Sequence, residues 1–388
     1  MNGSGPVKPF VLAAAAAVLF GVGGILACGR ADPLACTPWT GWLAYKSAFL
    51  NPDGRVVAGP NSASLSEAQA YALFFALVAN DRQAFEQILR WTEDNLAGGD
   101  LTARLPAWHW GKRDDDSWGV LDENAASDAD LWIAYVLNES ARLWDLPQHK
   151  ALSALLAQRI LHEETAEIPS LGLALLPGPS GFVHEGPRWR LNPSYLPIQV
   201  LRRLHAANPA AGWDRIADSA MRIIAGSAPR GFAPDWIGYS AAQGFIPDTQ
   251  TGAVGSYDAI RVYLWAGLLS EHDSDRMGLL ATLRPMADRV STHALPPEKV
   301  DTVSGESRGD GPAGFSAALI PFLQVAGRDE AALSQSRRVL ARSGRPTEPG
   351  YFDQSLALFG TGWKDGRFRF GPDGALQPSW HSLCPAKA

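Results

Sequence analysis

Residues 66–99, SEAQAYALFFALVAN-DRQAFEQILRWTEDNLAGG, decide how this chain folds. Ser66 to Asn80 is made of strong helix formers and is apolar nearly all round, the pattern of a helix buried on every side. Asp81 is then placed to cap a second helix. The residues Phe85, Ile88, Leu89, Thr92 and Leu96 recur at helical spacing along one face, and Gly98-Gly99 ends the run. Only Asp81 separates the two helices, so they must fold back as a hairpin, one arm buried and the other amphipathic.

The same rhythm continues in both directions. Helices are expected near 39–50, 66–80, 82–97, 127–144, 149–163, 194–207, 213–226, 256–270, 274–290, 313–326, 330–342 and 351–360. No close repeat of fixed period accompanies them, which argues against a solenoid. Twelve helices in six hairpins predict an all-α toroid, with the long aromatic connections Thr102–Asn124, Ile168–Pro193 and Gly231–Gly255 building a cleft at one end. With 46% hydrophobic residues among 388 and no low-complexity linker, one large domain over about 36–384 is expected. A net charge of −6 offers no basic footprint for nucleic acid.

The first residues form a separate segment. Lys8 precedes an apolar stretch from Phe10 to Leu26 and a run of small residues, the layout of a secretory leader over 1–31. Cleavage after Ala31 would release a soluble protein. Ile25-Leu26-Ala27-Cys28 also fits a lipoprotein box, with cleavage after Ala27 and a lipid on Cys28. Either reading sends the chain to the periplasm or outside the cell. In an oxidising compartment Cys36 and Cys384 could pair and tie the termini together.

Acidic residues stand at the starts of even-numbered helices: Glu67 in the second, Asp128 and Asp130 in the fourth, Asp258 in the eighth. Taken singly, each has a plain structural explanation. Ser64 with Glu67, and Ser127 with Asp130, fit capping boxes, and the helix dipole favours acids in a first turn. Taken together, they fall on the one helix parity that would line a toroid, and their helix starts would meet at one end. The aromatic residues point to the same place. Of 14 Trp, five (Trp108, Trp110, Trp118, Trp189 and Trp236) lie in the long loops, where flat rings suit the C–H faces of sugars. Other chemistries lack their residues. There is no G-x-S-x-G elbow, no zinc-ligand cysteine spacing, and His162-Glu163-Glu164 has no second His one turn on. Gly305 to Gly314 is a turn-rich loop without a phosphate-loop Lys.

ASDADLWIAYVLNESARLW, from Ala126 to Trp144, resembles the signature of glycoside hydrolase family 8. Ser66–Tyr71, Pro106–Gly111, Leu191–Tyr195, Ser256–Arg261 and Pro296–Asp301 are similar to further stretches of that family, most of all its periplasmic endoglucanases that accompany cellulose synthesis. The resemblance spans about Cys36 to Cys384. It implies an (α/α)6 barrel of six helical hairpins and an inverting two-carboxylate hydrolysis of a β-1,4-glucan such as cellulose, with no metal or organic cofactor. Glu67 would be the general acid and Asp258 the base, with Asp128 holding a distorted sugar. Trp108, Trp110, Tyr195, Tyr257 and Arg261 would bind the glycan. Arg261 could either hold the Asp258 carboxylate or pair on the surface. A monomer is expected, with the cellulose export machinery as a partner. Xylan or chitosan hydrolysis, and a non-catalytic glycan-binding role, are the alternatives.

Overall fold

In the computed structural model, residues 1–3, 5, 37–186, 188–342 and 350–382 are described, apart from the side chains of residues 60, 342 and 382. The chain separates into Met1–Ala31 and Asp32–Ala388, and the helices and strands lie in the second unit. The leader, the lipidation of Cys28 and the Cys36–Cys384 pairing fall outside the described residues.

The twelve expected helices are present, as α1 (Thr40–Phe49), α2 (Ser66–Val78), α3 (Arg82–Leu96), α4 (Ser127–Trp144), α5 (Pro147–Glu163), α6 (Ile198–Ala207), α7 (Trp213–Ser227), α8 (Ile260–Leu268), α9 (Arg276–His293), α10 (Ala313–Val325), α11 (Asp329–Arg342) and α12 (Tyr351–Lys364). A short α13 (Ser379–Ser382) follows. The hairpin behaves as its residues require. Every residue of α2 except Glu67 is buried. Asp81 caps α3 by accepting from the Ala84 N–H at 3.1 Å, and Phe85, Ile88, Leu89, Thr92 and Leu96 all face inward. The one amide inside α2, Gln69, is satisfied by the Val56 N–H at 2.6 Å, the Gly54 carbonyl at 3.2 Å and Thr92 Oγ1 at 3.1 Å.

The even-numbered helices form a closed inner ring. Each of α2, α4, α6, α8, α10 and α12 packs on the next, and α12 packs on α2. Helices α3, α5, α7, α9 and α11 each lie outside the inner helix that precedes them, and α1 packs on α12. This is an (α/α)6 barrel whose last hairpin is made by the two ends of the chain. Its axis is filled by aromatic rings. Phe74 of α2 stacks on Phe359 of α12 at 5.1 Å, and Trp132 of α4 meets Trp265 of α8 at 5.3 Å.

Three features depart from the helical reading. Pro197 stops α6 from beginning at residue 194, and a single 3-10 turn over Pro193–Tyr195 precedes it. Ser256–Ala259 is a turn ahead of α8, because the Asp235 carboxylate takes the N–H groups of Ser256, Asp258 and Ala259 at 2.7, 3.0 and 2.8 Å. The loops also contain short strands that helical periodicity does not reveal. In chain order these are β1 (Ser64–Leu65), β2 (His109–Lys112), β3 (Trp118–Asp122), β4 (Thr165–Ile168), β5 (Gly172–Leu175), β6 (Val183–His184), β7 (Arg188–Leu191), β8 (Ile237–Ser240), β9 (Gly244–Pro247), β10 (Val254–Gly255), β11 (Pro297–Asp301), β12 (Ser307–Asp310), β13 (Phe368–Phe370) and β14 (Leu376–Pro378).

These strands position the inner helix starts. β1 pairs with β2 and β2 with β3, all antiparallel, and β1 runs directly into α2. The ladder from β6 to β9 ends beside Asn192 and carries Asp235 on the approach to β8. β10 joins β11 and β12 and delivers the turn that holds Asp258.

Candidate active site

Arg261, the second residue of α8, is the organising group. Its side chain is almost wholly buried, and its guanidinium reaches three carboxylates from three inner helix starts. Nη1 donates to Glu67 Oε2, to Asp128 Oδ2 at 2.9 Å and to the Tyr71 hydroxyl at 3.0 Å. Nη2 donates to Asp258 Oδ1 at 2.7 Å. The rings of Tyr195 and Phe352 lie 5.6 Å from the guanidinium carbon. Burial removes the reading of Arg261 as a surface partner.

Each acid has a second anchor. The Tyr351 hydroxyl, at the first residue of α12, donates to Glu67 Oε1 at 2.5 Å. Asn192 Nδ2 donates to Asp258 Oδ2 at 3.3 Å. The Ala129 N–H donates to Asp128 Oδ1 at 2.8 Å. Neither capping box forms. The N-cap positions of α2 and α4 are Leu65 and Ala126, without side-chain bonds, and Ser64 Oγ and Ser127 Oγ have no partner among the described residues. The Ser66 N–H goes instead to the Trp108 carbonyl at 3.0 Å, because β1 and β2 bring that loop across the helix start. The Glu67 side chain is thereby free to face the cleft.

Three carboxylates share one cation, and the electrostatics reflect the imbalance. Burial pushes the Asp128 carboxyl up to about 7; Arg261 opposes this, and the charge of Glu67 adds to it. Asp235, behind Asp258, is pushed up to about 6, first by burial and then by the Asp258 charge, against its three backbone N–H bonds.

The acids open onto a cleft of about 440 Å³. Glu67, Asp128, Asp258 and Arg261 lie in its wall with Trp108, Tyr195 and Tyr257. Trp108 and Tyr257 are exposed. Trp110 does not line this cleft. A register shift between His109 and Trp110 in the β2–β3 pairing breaks the alternation that would keep Trp108 and Trp110 on one face, and Trp110 stacks instead on Trp118 at 5.2 Å with the Arg55 guanidinium 5.1 Å from each ring. Sequence reasoning missed Tyr351, Phe352 and Asp353, which line the cleft from α12. The parity rule that selected Glu67 and Asp128 applies equally to that helix start. It also missed Asn192 and Asp235, whose roles depend on strand pairing.

The sequence model of "Glycosyl hydrolases family 8" matches residues 24–366. An endoglucanase of Xanthomonas axonopodis pv. citri is 47% identical over 375 residues, 95% of this chain and 96% of that protein. An endoglucanase of Salmonella typhi is 44% identical over 90% of this chain and 93% of its own length. The crystal structure of an endo-1,4-D-glucanase from Vibrio fischeri superposes with a TM-score of 0.85 at 41% identity, covering 88% of this chain and 99% of that one. The chain belongs to glycosyl hydrolase family 8 and is a glycoside hydrolase.

Proposed function

We propose that this enzyme is an endo-β-1,4-glucanase that hydrolyses cellulose-type chains with inversion at the anomeric carbon. One observation carries the reading. A single buried guanidinium gathers Glu67, Asp128 and Asp258 at the wall of a cleft lined by exposed aromatic rings. The names borne by the relatives, endoglucanase in both bacterial sequences, support the substrate class.

Glu67 is the proton donor to the glycosidic oxygen. Tyr351 and Arg261 grip its two oxygens and fix its direction. Asp258 takes the proton from water attacking the opposite face of the sugar, and Asn192 and the Asp235-held turn aim it. Acid and base meet opposite nitrogens of one guanidinium. An inverting enzyme needs a water between base and sugar, on the face opposite the proton donor. Asp128, on the same nitrogen as Glu67, holds the sugar that is distorted toward the oxocarbenium geometry. Trp108 and Tyr257 offer ring faces to neighbouring sugars. The leader-like N-terminus supports an exported enzyme, and its setting is the synthesis and export of bacterial cellulose.

The test is Glu67→Gln with carboxymethylcellulose as substrate. Circular dichroism should match the parent, and turnover should fall ~10²–10⁴-fold. Proton NMR of the parent reaction on cellulose oligomers should show the α-anomer forming first. A Glu67→Gln enzyme with most of its activity, or a β-anomer formed first, would refute the assignment.

A further inference from the structure

The fourth helix carries a second acid that the reaction scheme leaves unused. Asp130 sits half a turn beyond Asp128 and is 0% exposed. Its side chain meets that of Glu164, the C-cap residue of α5, which is also 0% exposed. Neither carboxyl finds a donor elsewhere. All four oxygens are buried, and no N–H, hydroxyl or cation among the described residues bonds to them. The charged groups that face the pair are Asp128 and Glu163, both acidic.

Two carboxylates cannot bond each other unless one keeps a proton, since each is otherwise an acceptor only. Burial pushes both groups well above the ordinary carboxyl range, and each raises the other's cost of ionising.

The backbone around the pair forms a closed circuit. The Glu164 carbonyl accepts from the Leu176 N–H at 2.7 Å, and the next residue, Pro177, accepts from the Ser127 N–H at 3.1 Å. Ser127 directly precedes Asp128. The end of α5 is thus strapped to the start of α4 through residues 176–177, and the Asp130–Glu164 contact closes the circuit from the side-chain side. The strap has no slack: a Cβ at Gly178 would stand 2.4 Å from the Ala125 carbonyl.

We propose that Asp130 and Glu164 are a proton-sharing positioning pair that fixes the first turn of α4 and so holds Asp128 against Arg261. The inference rests on the role given to Asp128 above. When the shared proton leaves for solvent at alkaline pH, two adjacent buried carboxylates repel, the first turn of α4 shifts and Asp128 loses its register.

The experiment compares the parent with Glu164→Gln and Glu164→Ala, with kcat and KM on carboxymethylcellulose measured from about pH 5 to about 9. The Gln amide supplies an N–H that does not titrate, so the alkaline fall in kcat should move up by about one pH unit or more. The Ala variant leaves Asp130 unpartnered. Its kcat should drop up to ~10²-fold, the scale of a misplacement near one ångström, with KM within about threefold. Folded protein holds more protons here than unfolded, so stability falls as pH rises above the ordinary carboxyl range. The Tm of the parent should accordingly fall faster with pH than that of Glu164→Gln. Superimposable alkaline limbs in the parent and Glu164→Gln would overturn the proposal. So would a Glu164→Ala enzyme that loses Tm but keeps kcat. Asp128→Asn measured alongside separates the two claims: it loses kcat if Asp128 has the role assigned above, whatever the Glu164 variants do.

Discussion

The two ends of α4 bury acids in opposite ways. At its start, Asp128 shares the single cation Arg261 with Glu67 and Asp258. Three turns later Glu139, equally buried, has more donors than it has charge. Arg142 Nη2 reaches it at 2.5 Å, Arg203 Nε bonds its other oxygen, and the Leu376 N–H donates at 2.7 Å. A surplus of donors makes Glu139 a joint between α4, α6 and β14. Burial, with one cation shared among three acids, pushes the Asp128 carboxyl up to about 7. One helix thus carries a saturated structural acid and an under-neutralised one at the cleft wall, and the ratio of cations to carboxylates distinguishes them.

That contrast can be broken at either end. Asp128→Asn should have the largest effect, lowering kcat by ~10²–10³-fold, the several kcal/mol that substrate distortion contributes, while the fold survives. Its pH signature is specific. The folded carboxyl is pushed up to about 7, so the parent loses stability as pH rises from the ordinary carboxyl range toward that value. Thermal melts of Asp128→Asn should lack this decline, and a parent and variant with parallel pH profiles would contradict it.

Glu139→Ala comes next and should act on stability alone. It takes the buried carboxylate from two guanidinium groups, and breaking a buried pair costs ~3–5 kcal/mol. The partial exposure of Arg142 places the loss at the lower end. Urea unfolding should show it, with kcat retained in the protein that remains folded; a catalytic loss without a stability loss would erase the distinction between the two ends. The smallest effect belongs to Trp108→Ala, which removes a cleft ring but no charge. KM should rise about fivefold, on the scale of ~1 kcal/mol for an aromatic contact, with kcat within about twofold. Trp118→Ala, outside the cleft, serves as its control.

The helices were legible because helical periodicity is local. The alternation of buried and amphipathic segments, Asp81 as a cap and Gly98-Gly99 as a stop are all written within a few residues of where they act. The parity of Glu67 and Asp128 could be read the same way. What could not be read was set by residues distant in the chain. Ser256–Ala259 looks helical until Asp235 claims its N–H groups. Trp110 resembles Trp108 until a register shift in the β2–β3 pairing takes it out of the cleft wall. The Tyr351 brace on Glu67 spans 284 positions, and no local pattern announces it.

The barrel closes through its ends, with α12 packed on both α1 and α2. Its first residue, Tyr351, supplies the hydroxyl that steadies Glu67 near the beginning of the chain. A polypeptide still emerging in N-to-C order therefore owns Glu67, Asp258 and Arg261 well before it owns the Tyr351 clamp. With Glu67 as the proposed proton donor, hydrolytic competence would await the docking of the final hairpin, and a chain cut short of that helix would be a barrel with an open seam.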